Sequence, residues 1–189
     1  MFKELIDLDK HLFIYLNGLG SPTWDSFWLY MSKTLSFVTI PIYVFVLLYS
    51  YLKLGFKKLM IMVGVVALLI ISTEQFSIFF KQNVGRLRPC YDNEIQEIMR
   101  MVKSYCGGKY SYFSAHAANS FAFASFFAIQ FRKDKKIISL LLLIWSLLVS
   151  YSRIYIGVHF PLDVFTGIAI GMFFAWLFAK LYVFYSEKI

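Results

Sequence analysis

Five long stretches of this chain carry almost no charge, and they limit what it can become before any motif is read. They cover about residues 27–52, 59–80, 115–131, 137–151 and 161–185. About 20 apolar residues let a helix cross a hydrocarbon core of about 30 Å. A chain that is 59% hydrophobic and 20% aromatic, with a mean hydropathy of +0.64, also lies well above the roughly 45–50% apolar content of a soluble domain. The expectation is an all-α, polytopic membrane bundle of five transmembrane helices. Pro41 falls inside the first and predicts a kink, because proline removes a backbone donor. The third is short and rich in Ala and Ser, which suggests close helix packing rather than lipid contact. In the fifth, Gly167 and Gly171 form a GxxxG pair read as a packing face.

Residues 1–24 precede these stretches. Phe2, Leu5, Ile6, Leu8, Leu12, Phe13 and Leu16 recur there at helical spacing among charges, which predicts an amphipathic interfacial helix and lead-in rather than a span. The segment lacks the pattern of a signal peptide. No repeat or low-complexity tract appears, so residues 1–189 are read as a single domain.

Lysine and arginine in short loops set the orientation. Lys53, Lys57 and Lys58, then Arg132, Lys133, Lys135 and Lys136, then Lys180 and Lys188 mark the cytoplasmic side by the positive-inside rule. Five spans then place the N-terminus outside, together with the loop at residues 81–114 and the turn at residues 157–161. The outer loop is basic as well, with Lys81, Arg86, Arg88, Arg100, Lys103 and Lys109, and binding of an anion is the simplest reason for it. Cys90 and Cys106 share that loop. Paired in an oxidising compartment, they would stabilise the fold by about 3 kcal/mol on the chain-entropy model; the other reading is two free thiols.

Three polar clusters lie at the outer edge. Glu74 and Lys81 are seven residues apart, nearly two helical turns, on one face; Arg86 and Arg88 follow before Pro89. Snorkelling to the headgroups explains such basic residues equally well. Ser114 suits a helix N-cap, and the free N–H groups after it, at Ala115 and beyond, make an anion site at the positive end of the helix dipole. His116 stands at the same edge, either as an interfacial residue or as a catalyst; His11 has no comparable neighbours. In the third cluster Pro161 suits the first helical position. The four-residue spacing of His159 and Asp163 then lets the carboxylate reach an imidazole N–H, leaving the other ring nitrogen free as nucleophile or base. Arg153 adds a planar fork suited to phosphate oxygens.

The three clusters resemble, in order and loop placement, those of the type 2 phosphatidic acid phosphatase (PAP2) superfamily. "KQNVGRLRP" matches KxxxxxxRP, "FSAH" approximates PSGH and "SRIYIGVHFPLD" matches SRxxxxxHxxxD. The resemblance implies that His159 is the nucleophile that attacks phosphorus to give a phosphohistidine, that Asp163 orients it, and that His116 is the general acid for the leaving oxygen. It further implies that Lys81, Arg88, Arg153, the Ser114 hydroxyl and backbone N–H groups including that of Ala115 hold the nonbridging oxygens. Ser152, Glu74 and Arg86 are given supporting roles. Neither a metal nor another cofactor is implied.

Phe113 and Ala115 replace the family proline and glycine, so the loop before His116 loses a rigid bend and some room for phosphate to approach the backbone. Membrane members of the family commonly have six spans, against five plus a surface helix here.

The implied activity is hydrolysis of a phosphorylated lipid at the periplasmic face of a bacterial inner membrane. The first expectation for the lipid is undecaprenyl diphosphate. Lipid A, phosphatidylglycerophosphate and phosphatidic acid are the alternatives. A non-catalytic binder or transporter of anionic lipids is the competing class, separable by turnover. A haem electron-transfer protein would need facing histidine pairs inside the bundle, and none of the three histidines lies mid-span. No nucleic-acid partner is expected, and the oligomeric state is left open.

Overall fold

The computed structural model describes residues 2–131 and 136–188; Arg132, Lys133 and Lys135 of the basic loop lie outside the described residues. Every named element among the described residues is a helix. The elements are α1 (Phe2–Gly18), α2 (Pro22–Met31), α3 (Thr39–Val84), a 3₁₀ turn at Pro89–Tyr91, α4 (Ala115–Phe131), α5 (Lys136–Tyr155) and α6 (Pro161–Ser186). Helices α3, α5 and α6 are long and apolar enough to cross a membrane, and the chain is an integral membrane protein.

The stretch expected to be a first span over residues 27–52 is divided. Helix α2 ends at Met31 and α3 begins at Thr39. Between them Ser36 N–H donates to Thr39 Oγ1 at 2.8 Å, and Thr39 N–H donates to Ser36 Oγ at 3.2 Å. Short polar side chains that bond to nearby backbone compete with a helix in this way. Pro41 therefore falls in the first turn of α3, where its missing donor costs nothing, and the expected kink there does not occur.

The helix breaks at Gly55, within the basic loop expected between the first two apolar stretches; its φ of 76° and ψ of 171° are not helical and suit a residue without a Cβ. A straight helix of 46 residues would reach about 69 Å. Here residues from both arms, Tyr43 and Leu47 before Gly55 and Met62, Val66 and Ile70 after it, line one cavity, so the chain doubles back at this glycine.

Helix α4, with 17 residues, is shorter than α3, α5 and α6, and most of it is buried. Its small residues meet α6, as the GxxxG pair predicted. A Cβ on Gly167 would sit 2.6 Å from the Ser114 carbonyl oxygen, and one on Gly171 would collide with the Ala118 carbonyl oxygen.

Helix α1 presents Asp9, Phe13 and Asn17 inward at four-residue spacing, all three buried. The Phe13 ring packs edge-on against Phe160, with centroids 5.3 Å apart. Asn17 donates from Nδ2 to the carbonyls of Arg100, Ile154 and Tyr155 and accepts the Arg100 N–H at 2.7 Å. Leu5, Leu8, Leu12 and Tyr15 stay exposed on the other faces. The side that packs is thus set by two polar residues and one phenylalanine rather than by the apolar majority.

Candidate active site

The start of α6 sets the centre. Pro161 opens the helix, and Asp163 Oδ2 accepts the Phe160 N–H at 3.0 Å, capping the helix with a carboxylate. Asp163 Oδ1 accepts from Arg86 Nη1 at 2.9 Å. The carboxylate, fully buried, is thereby paired with a cation, as burial of a charge requires.

His159 sits four residues earlier, in the turn between α5 and α6, and is 1% exposed. Gly157, with φ of 84°, makes that turn, and the N–H groups of Val158 and His159 return to the Arg153 carbonyl at 3.1 and 3.3 Å. Imidazole Nδ1 lies 3.5 Å from Asp163 Oδ2 and, among the described residues, has no hydrogen-bond partner. Such catalytic contacts are often long before substrate binds. Burial first, and then the positive charges of Arg153, Arg88 and Lys81, push the His159 pKa well below the usual histidine range. The ring is therefore neutral at pH 7, the state a nucleophile needs.

Ser114 ties the start of α4 to the start of α6. Its N–H donates to the Asp163 carbonyl at 3.0 Å, and its Oγ accepts the Ala117 N–H at 3.4 Å. Ala115 follows as the first helical residue, so its N–H and that of His116 belong to the orphan donors of a helix N-terminus. His116 lies within electrostatic range of Arg153, His159 and Lys81, which places it beside the same centre. Phe113 is fully buried and packs near Phe76, Phe80 and Tyr112. An aromatic anchor thus stands where the family motif has proline.

The basic residues arrive from three elements. Arg153, near the end of α5, is buried; Nη1 donates to Ser32 Oγ while Nε has no acceptor among the described residues. Arg88 is clamped by the outer loop, with Nε donating to the Tyr110 carbonyl at 3.2 Å and Nη1 to the Cys106 carbonyl at 3.1 Å. The loop is itself closed by a Cys90–Cys106 disulfide, with Cα atoms 6.3 Å apart. Burial pushes the Arg88 pKa down from its ordinary value. Lys81, on the last turn of α3, shares electrostatic range with Arg88, Arg153 and Asp163. Three cations thus stand within electrostatic range of a neutral imidazole, an arrangement that can attract a multiply charged anion.

The residues given supporting roles are placed differently. Ser152 Oγ donates to the Val149 carbonyl of its own helix at 2.5 Å, which fixes it as part of α5. Arg86 serves Asp163. Glu74 pairs with Asn119 rather than Lys81: Asn119 Nδ2 donates to Glu74 Oε2 at 2.8 Å, and Thr73 Oγ1 donates to Asn119 Oδ1 at 2.6 Å. This chain lies at the polar end of a cavity of about 730 Å³, together with His116, Ser32 and Lys33; Met62, Val66, Ile70, Phe123 and Phe127 line the remainder.

Sequence reasoning missed Asp9, Ser32, Ser111 and Asn119. Ser111 Oγ lies 3.1 Å from the Leu87 carbonyl, and the Ser111 N–H donates to the Arg86 carbonyl at 2.8 Å, holding the basic segment in place. Only Asn119 had an available signal, as a polar amide one turn past His116 in an apolar helix.

Comparison with known proteins bears on the chain as a whole. Residues 58–186 match the model of the PAP2 superfamily. The lipid A 4'-phosphatase of Bacteroides thetaiotaomicron is 36% identical over 181 residues, covering 94% of this chain and 78% of that protein. The lipid A 4'-phosphatase of Porphyromonas gingivalis is 34% identical over 188 residues, covering 97% and 77%. Among solved structures, LpxE of Aquifex aeolicus is similar at a TM-score of 0.66 and 24% identity, covering 90% of this chain and 93% of that one. A phosphatidylglycerolphosphate phosphatase of Bacillus subtilis is similar at 0.73 and 18%, covering 98% and 88%.

Proposed function

Because the chain belongs to the PAP2 superfamily and is a membrane lipid phosphatase, we propose that it removes the 4'-phosphate of lipid A or of a closely related glycolipid. The observation that carries this reading is that both curated relatives, similar over nearly all of this chain, are named for that activity. It displaces undecaprenyl diphosphate, the first expectation from sequence. The Bacillus enzyme's likeness, at 18% identity, speaks for the fold alone.

In this reading the whole chain acts as one domain with five crossings, the two arms of α3 counting as two, and α1 lies along the outer surface. The N-terminus and the site face the periplasm from the inner membrane. Lys81, Arg88, Arg153, Ser114 and the N–H groups at Ala115 and His116 hold the phosphate oxygens. His159 attacks phosphorus in line with the sugar oxygen that leaves, while Asp163 keeps its ring in the productive tautomer. His116 donates a proton to that oxygen, then takes one from the water that cleaves the phosphohistidine. The apolar cavity beside His116 accepts acyl chains.

Phosphate release from lipid A, undecaprenyl diphosphate, phosphatidylglycerophosphate and phosphatidic acid by purified protein tests the assignment, with mass spectrometry locating the phosphate lost. Loss of the 4'-phosphate from lipid A by the wild type and not by His159→Ala is the expected result. Preferred turnover of undecaprenyl diphosphate overturns the substrate, and equal release by wild type and His159→Ala overturns the roles given to the site.

A further inference from the structure

The N-terminal helix, which lies outside the matched family region, reaches the charged groups of the centre at Asp9. Asp9 is 6% exposed. Its Oδ2 accepts from Arg86 Nη2 at 2.5 Å, and its Oδ1 accepts the Leu162 N–H at 2.8 Å, in the first turn of α6. The other arm of the same guanidinium, Nη1, donates to Asp163 Oδ1. Arg86 thus spans two buried carboxylates, one on α1 and one beside His159. Its plane lies over the Phe160 ring, 4.0 Å from the centroid, and Phe160 is braced on its other contact by Phe13 of α1.

A guanidinium held by one carboxylate can pivot about that contact; held by two, its planar fork has a single orientation. Asp163 needs that orientation fixed, because its second oxygen both caps α6 and faces the His159 ring across 3.5 Å. A displacement of about 1 Å at such a contact costs about 100-fold in rate.

We propose that Asp9 is a positioning residue: through Arg86 it fixes the Asp163 carboxylate, and through Asp163 the imidazole of His159. The inference rests on the reading of Asp163 as the partner of the nucleophile. It makes α1 a working part of the site.

The test measures kcat and KM on the lipid substrate with the full chain, alongside thermal unfolding. Asp9→Asn keeps the shape and an acceptor for the Leu162 N–H but removes the charge. It is expected to lower kcat about tenfold or more with KM within about twofold of wild type. Asp9→Glu is expected to recover most of the loss. On an Arg86→Gln background, Asp9→Asn is expected to add less than about twofold, because the partner through which it acts is gone. Wild-type kcat in Asp9→Asn, the same fold-loss in both backgrounds, or a loss carried wholly by KM overturns the proposal.

Should Asp9→Asn fail to fold, Asp9→Ser carries the same comparison. Failure of both beside a folded, fully active Asp9→Glu assigns Asp9 a purely structural role and overturns the proposal. Asp163→Asn separates the two levels: wild-type turnover in that variant defeats the underlying reading of the site. An inactive Asp163→Asn beside an unaffected Asp9→Asn defeats the role of Asp9 alone.

Discussion

Helix α4 has two unlike neighbours. Toward α6 its backbone comes so close that Gly167 and Gly171 have no room for a methyl group. Toward α3 it looks across a cavity of about 730 Å³ lined by large apolar side chains. Ser114 and Asp163 sit on the tight side, where the Ser114 N–H bonds to the Asp163 carbonyl, while His116 borders the cavity. The lesson is a division of labour. Dense small-residue packing holds reacting groups to fractions of an ångström, while the loose side leaves space for something apolar of variable shape.

The strongest test strikes the tight side at its chemistry. His159→Ala is expected to lower kcat by at least about 1,000-fold, with thermal unfolding close to wild type; residual turnover above about a tenth of wild type would detach the reaction from this seam. Next comes the seam's packing. Gly171→Leu forces a side chain against the α4 backbone, and is expected to destabilise by about 3 kcal/mol and to reduce activity about 100-fold. Gly64→Leu, at a glycine of α3 with open space around it, is expected to change neither. Equal effects of the two substitutions on unfolding would erase the contrast.

A smaller effect is expected from crowding the loose side. Ala67→Trp, pointing bulk into the cavity, should raise KM for a long-chain substrate about tenfold. Its kcat on a short, soluble phosphate ester should stay within about twofold of wild type. Loss on both substrates would mean that the cavity is part of the rigid machinery.

The smallest is a pH effect. The depressed His159 pKa means that the unfolded chain takes up a proton near pH 6.5 while the folded chain does not. The stability contribution is therefore complete above about pH 6.5 and is lost as pH falls from there toward the folded value. Melting curves should show that decline, while kcat at saturating substrate changes less than about twofold between pH 7.5 and 6.0.

Sequence reading succeeded where one local property decides the structure. Helix α4 begins and ends where its apolar run does, and Pro161 opens α6 as its fixed φ predicts. The motif residues could be found because their types are costly in lipid and so stand out. The reading failed where composition is silent about backbone direction. Residues 27–52 are uniformly apolar enough for one helix, and only the Ser36–Thr39 exchange of hydrogen bonds reveals the break. The fold-back at Gly55, by contrast, falls in the basic loop read between the first two apolar stretches. Asp9 was lost for a second reason: on an amphipathic helix, charges are read as the solvent side, and here the charge is the residue that faces in.

The loop that holds Arg88 ties the posture of a cation to a covalent closure. The carbonyl that grips the Arg88 side chain belongs to Cys106, one half of the disulfide. In a chain still reduced after synthesis, that carbonyl would belong to an open segment instead of a closed ring. The side chain of Arg88 would then lose one of its two carbonyl clamps, or hold it less firmly, whenever the two sulfurs are apart.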